Sequence, residues 1–229
     1  MFPATLFDFN GVLVDDEPVH LAAFREVVAP LGITVTDEQY LRRYFGFDDA
    51  GAFRAMLADN GLPVDEARVA DLIEQKRPAY MRRAEAGLVL FEGAADAVRR
   101  AAARGPVAIV SGALRDEIEY ALGRMGVRAE VAFVVSAEDT QRCKPDPEGY
   151  EIAKRALAAR GGDALARRAL VFEDSLAGVA AAKAAGLPCI AVAHAYPEAE
   201  LRAAGADDVA ARLADIDDAR LAALASRLG

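Results

Sequence analysis

The chain has 229 residues, with 27 Lys and Arg against 36 Asp and Glu and a formal net charge of −9. At 54% hydrophobic and 28% charged it carries enough apolar residues for a substantial core, which excludes intrinsic disorder. The acidic balance excludes nucleic acid and anionic membrane surfaces as partners, since both need a basic face, but leaves room for a small anion in a locally positive pocket.

In chain order, residues 4–9 (ATLFDF) predict a buried strand. From Asp16 to Ala86 the pattern is helical throughout. Glu17-Pro18 suits a helix start capped by Asp15 or Asp16, and Gly32 closes it after Leu31. Further helices are expected over 37–43, 49–59 and 65–84, with Asn60-Gly61 as a turn and Pro78 as a kink. Beyond this insert, strands are predicted at 106–111, 131–136, 169–172 and 188–193. They alternate with helices at 93–104, 114–125, 147–160 and 176–185, which Gly105, Gly126, Gly161 and Gly186 terminate. The expectation is an α/β chain: a doubly wound parallel-sheet core of residues 1–15 and 87–229, interrupted by an all-helical module at 16–86.

Cysteine and histidine add little. Cys143 and Cys189 form no CxxC pair, and two histidines, His20 and His194, cannot build a His-rich metal centre. The opening MFPATLFDFNG lacks the basic and apolar regions of a signal peptide, and no run of about 20 apolar residues predicts a membrane span. A cytoplasmic protein, monomer or homodimer, is expected. His194 reads as a loop residue and Cys143 as incidental packing. Lys76, Arg77, Arg82 and Arg83 read as a solvated helix face, and Tyr44, Phe45 and Phe47 as packing residues.

The informative feature is polarity at the carboxyl ends of the strands, where open α/β sheets bind ligands. The first strand ends in Asp8-Phe9-Asn10-Gly11 and the second in Ser111-Gly112. Cys143-Lys144-Pro145 follows the third, and the fourth ends in Glu173-Asp174. A lysine, a serine and three carboxylates brought together suit phosphoryl transfer through an aspartyl intermediate. Asp8 can attack phosphorus if its charge is neutralised, for which Mg²⁺ is the best-suited hard cation. Asp8 and Asp174 are candidates to hold it, with Glu173 beside or behind them. Ser111 and the amides after it can bind phosphate oxygens, and Lys144 can stabilise the charge of both nucleophile and phosphoryl group.

DFNGVLVDDE (8–17), Ser111, Lys144 in CKPDPEGY and Glu173-Asp174 in VFEDSLAGVAAAKAAG together resemble the four signatures of the haloacid dehalogenase-like superfamily. The helical insert resembles the cap of its β-phosphoglucomutase and phosphoglycolate phosphatase branch. The resemblance implies a Rossmann-like core and a Mg²⁺-dependent phosphatase of a small phosphorylated metabolite, with Asp8 as nucleophile. It implies a metal neighbourhood of Asp8, the Asn10 carbonyl, Glu173 and Asp174, and a phosphate held by Ser111, Gly112 and Lys144. It also makes Lys76 and His20 candidate substrate contacts in the cap. Two residues depart from the pattern. The family usually has an aspartate at position 10 as general acid and base, a role Asn10 cannot fill because an amide does not titrate. Asp49 stands about where the mutases have an arginine for a second phosphate. Phosphomutase activity and a catalytically impaired phosphate-ester binder remain the alternatives.

Overall fold

A computed structural model of the chain describes residues 2–228. It divides into two compact units: one takes the chain up to Asp15 and again from Leu90 onward, and the other runs Asp16–Val89.

The first unit is built on a six-stranded sheet. In chain order its strands are β1 (Ala4–Phe7), β4 (Val107–Val110), β5 (Val131–Val135), β6 (Ala169–Glu173), β7 (Cys189–Val192) and β8 (Asp208–Ala210). Two short strands, β2 (Val14–Asp15) and β3 (Val89–Leu90), form a separate pair where the chain passes between the units. The large sheet runs β5-β4-β1-β6-β7-β8, with every neighbouring pair parallel. Counted within the sheet this is the doubly wound order, whose direction reverses between β1 and β6. The two strands pair from Ala4↔Ala169 to Phe7↔Phe172, and the rings of Phe7 and Phe172 stack with centroids 4.8 Å apart. β1, β4 and β7 are buried along their whole length, as strands covered on both faces must be. On one face Leu6, Val110 and Val171 pack with Tyr150, Leu157 and Val179 of the covering helices Glu148–Gly161 and Leu176–Ala184.

Each of the five predicted strands is present in this sheet. Strand β8 and the helices Asp163–Arg167, Glu198–Ala203 and Asp218–Leu228 fall outside the predicted elements. β8 is three residues long and only Val209 and Ala210 are buried, too short a signal for periodicity to register.

The second unit is helical, as expected, and each start is chemically marked. Asp48 caps Asp49–Asp59 by accepting from the Gly51 amide at 2.8 Å, and Asp65 caps Glu66–Gly87 through Arg68 at the same distance. Pro18 occupies the first turn of Glu17–Val28, where its missing amide proton costs nothing. Pro78 falls within the continuous 22-residue helix. One expectation needs correcting. The stretch expected as a helix over 37–43 is one α-turn, Asp37–Gln39, that widens into a π-turn at Tyr40–Tyr44 and buries both tyrosines. Phe24, Tyr40, Phe53, Met56, Leu57 and Leu72 form this unit's own core, with Phe53 edge-on to Phe24 at 5.1 Å. Phe53→Ala removes a fully buried ring, and we expect a loss of about 3–5 kcal/mol, read as a lower denaturation midpoint.

Candidate active site

The strand register sets the site. One residue past the stacked Phe7–Phe172 pair, β1 delivers Asp8 beside Glu173, and the Asp8 amide donates to the Phe172 carbonyl at 2.9 Å. Asp174 follows directly, so three buried carboxylates converge at the point where the strand order reverses, with ligating oxygens within 4.8 Å of one another. From the other side of β1, Lys144 places its ammonium 2.9 Å from Asp8 Oδ1 and 2.5 Å from Glu173 Oε1, and donates to the Val110 carbonyl at 3.2 Å. Ser111, just past β4, donates its hydroxyl to the Asn10 amide oxygen at 3.2 Å and accepts from the Ala113 amide. The Leu114 amide is taken by Glu117, so Gly112 has the amide in this turn with no internal partner among the described residues. The structure thus brings together Asp8, Asn10, Ser111, Gly112, Lys144, Glu173 and Asp174, as the sequence predicts.

Charge is unbalanced here, with three carboxylates to one ammonium. Burial, and next the Glu173 charge, push the Asp8 carboxyl up to about 6 although Lys144 pulls the other way. Burial works against the Lys144 ammonium, but Asp8 and Glu173 together outweigh it and hold its pKa above the usual lysine range. Glu173 is fully buried and its oxygens are already occupied. Oε1 accepts from Lys144 and from the Tyr150 hydroxyl at 2.7 Å, and Oε2 from the Asp174 amide and the Ser175 amide and hydroxyl. A hard oxygen-seeking dication fits the surplus of negative charge, and Asp8, Glu173 and Asp174 each offer it a carboxylate oxygen.

The sequence pattern of the haloacid dehalogenase-like hydrolases matches residues 5–192. The chain belongs to that family. It is 31% identical over 211 residues to validoxylamine A 7'-phosphate phosphatase of Streptomyces hygroscopicus subsp. limoneus, covering 88% of this chain and 92% of that one. Among solved structures, CbbY from Rhodobacter sphaeroides in complex with phosphate superposes with a TM-score of 0.80 and 28% identity, over 94% of this chain and 96% of its own. An aspartate-to-asparagine variant of CbbY in complex with xylulose-(1,5)bisphosphate gives the same TM-score, identity and coverage.

Some neighbours of the hydrolase signatures are not legible as motifs. Tyr150 closes the CKPDPEGY stretch and reads as helix core, yet its hydroxyl orients Glu173. Gly11 (φ +72°) lets the turn after β1 press on Asp174: a Cβ there would stand 2.0 Å from Oδ2. Gly178 does the same for Glu173, its Cβ position lying 2.0 Å from the carboxyl carbon. Only the run of small residues in SLAGVAAAKAAG hints at that close packing.

In the helical unit, Lys76 and His20 do meet, but inside the packing. Lys76 is fully buried rather than part of a solvated face. Its ammonium donates to Asp49 at 2.5 Å and to His20 Nδ1 at 2.7 Å, and lies 4.7 Å from the Phe24 ring centroid. His20 then turns Nε2–H toward Asp16 at 3.2 Å, and Asp16 also accepts from the Tyr80 hydroxyl at 2.6 Å. Arg82 does lie on the exposed face, paired with Glu26.

Gly178→Ala should displace the Glu173 carboxyl and lower the denaturation midpoint. The exposed helical control Gly123→Ala, with nothing near its Cβ position, should raise stability by about 0.5–1 kcal/mol. Parallel thermal melts check both.

Proposed function

We propose that the chain is a Mg²⁺-dependent phosphatase of carbohydrate-type phosphate monoesters that works through an aspartyl-phosphate on Asp8. The observation that carries the reading is a buried nucleophile-type carboxylate held by Lys144 within a cluster of three carboxylates at the sheet's switch point. Asp8, Asp174 and the Asn10 backbone carbonyl would hold the cation, with Glu173 behind them orienting Lys144. When bound, Mg²⁺ supplies charge neutralisation for the phosphate and for Asp8. The remaining work falls to the chain's own groups. Lys144 and the Gly112 amide grip phosphate oxygens, the Ser111 hydroxyl joins them by turning its proton from Asn10 to the phosphate, and the Asp8 carboxylate attacks phosphorus as the ester oxygen departs. Water then attacks the aspartyl-phosphate and releases inorganic phosphate.

Asn10 stabilises the leaving oxygen by hydrogen bonding only, because the amide carries no transferable proton. The enzyme should therefore favour leaving groups that need little protonation. The helical unit, residues 16–86 in the sequence reading, is assigned the part of a specificity cap. There the Asp49 carboxylate and the Lys76 ammonium neutralise each other, which favours a monophosphate over a bisphosphate and phosphatase over phosphomutase chemistry. The likeness to a validoxylamine phosphate phosphatase and to a protein captured with a sugar bisphosphate supports a carbohydrate-like substrate. The Ser111–Asn10 hydrogen bond, which gives Asn10 a settled place in the site, also sustains a second reading, a phosphate-ester binder that turns over little.

Phosphate release over a panel of sugar phosphates, with and without Mg²⁺, tests both. Asp8→Ala should abolish release and chelation of Mg²⁺ should stop it; undiminished turnover by Asp8→Ala would overturn the mechanism. Asn10→Asp should raise kcat/KM for alkyl phosphates by up to about 10²–10⁴-fold and that for aryl phosphates much less. Tight ligand binding with no release from the unmodified chain would select the binder.

A further inference from the structure

We propose that His194 is a positioning residue of the active site, acting with Phe91 as a clasp on the turn that carries Asn10 and Gly11. His194 follows β7 in a turn, where the sequence marks it only as a loop residue. Its Nδ1 lies 2.8 Å from the Gly11 carbonyl oxygen. A carbonyl only accepts, so Nδ1 carries the proton and donates it. The imidazole also stacks on Phe91, with ring centroids 4.0 Å apart and planes 20° from parallel. Phe91 grips the same turn by another route, its backbone amide donating to the Leu13 carbonyl at 3.1 Å. Two stacked residues more than a hundred positions apart in the chain thus hold two carbonyls of one turn.

That turn has little freedom to spare. Within it the Gly11 amide donates to Val14 at 2.9 Å and Leu13 to Phe9 at 2.8 Å. Gly11 sits against the Asp174 carboxylate so closely that no side chain fits between them. Asn10, one residue earlier, accepts from Ser111. Turning the Gly11 carbonyl would swing the peptide plane that follows it and move the backbone on which the Asn10 carbonyl and the approach to Asp174 both depend. His194 restrains that motion. Its flat ring supplies both the stack and the donor: phenylalanine offers only the first and asparagine only the second.

The inference rests on the cation reading given under Proposed function. Calorimetric titration of Mg²⁺ alone into the full chain tests it, alongside thermal melts of the metal-free proteins. His194→Phe keeps the stack and removes the donor. It should weaken Mg²⁺ binding roughly 10-fold, the low end for groups that orient metal ligands, with little change in the metal-free melt. His194→Asn restores an N–H near Nδ1 and should recover most of the affinity. A side chain that merely supports folding would lower the melt and leave the affinity of the folded protein alone. Equal Mg²⁺ affinity in His194→Phe and the unmodified chain would overturn the proposal. If His194→Phe does not fold, Phe91→Leu loosens the other half of the clasp and should give the same weakening, and unchanged affinity there would overturn the proposal equally. Absence of Mg²⁺ binding by the unmodified chain would remove the cation reading itself, a result distinct from equal affinities.

Discussion

One ammonium among three buried carboxylates is the constraint on which the rest of the catalytic unit depends. Lys144 donates to Glu173 and the Val110 carbonyl and forms an ion pair with Asp8, so strands on both sides of β1 are tied to a single charge. A buried ion pair is weak evidence for stability, because desolvation offsets much of its attraction, but losing one partner leaves the other stranded. The fold meets that risk with neutral donors: Tyr150, Ser175 and two backbone amides spread the Glu173 charge over hydrogen bonds. Asp8 has one such donor, the Phe9 amide, and burial together with the Glu173 charge raises its pKa. An uncompensated carboxylate beside a lysine is poor architecture and good chemistry.

The helical unit also gathers acids around one buried lysine. Lys76 is as buried as Glu173, Asp49 pairs with its charge, and His20 links it to Asp16, whose carboxylate also accepts a hydrogen bond from the Tyr80 hydroxyl. Glu17, pushed up by burial, accepts from the Tyr40 hydroxyl. Both clusters gather three carboxylates around one lysine, and position distinguishes them: only the first lies at the carboxyl ends of the parallel strands, where open α/β sheets bind ligands.

How much of this was legible in the sequence follows from how each feature is encoded. Strand-end polar residues interrupt apolar runs, so Asp8, Ser111, Lys144 and Glu173-Asp174 stand out, and strand alternation is enough to bring them together. Tyr150 does not stand out, because its ring packs as a core residue and only its hydroxyl is functional. Gly11 and Gly178 matter through the atoms that a side chain would strike, which no local pattern records. Lys76 reads as surface because helix periodicity places charges on solvated faces; its partners Asp49 and His20 lie 27 and 56 residues away. His194 is hidden for a similar reason, since the carbonyl it holds is 183 residues distant.

Asn10 is where charge and catalysis pull against each other. An aspartate there would add a fourth carboxylate to a site that already exceeds its lysine by two, beside a nucleophile whose ionised form burial already disfavours. The amide avoids that repulsion, and its oxygen accepts the Ser111 proton as a carboxylate oxygen would, so the local hydrogen bonding survives the change. What it gives up is proton transfer, a contribution of about 10²–10⁴-fold that matters most when the leaving oxygen is a strong base. A site built this way spares Asp8 the repulsion of a further carboxylate and, on the proposed mechanism, loses the group that would hasten both departure of the alcohol and attack by water. The second loss falls on every substrate, because the aspartyl-phosphate is the same whatever alcohol has left. On the proposed mechanism, dephosphorylation of Asp8 would then be the slow step for good leaving groups, and the identity of the alcohol would control turnover only for poor ones.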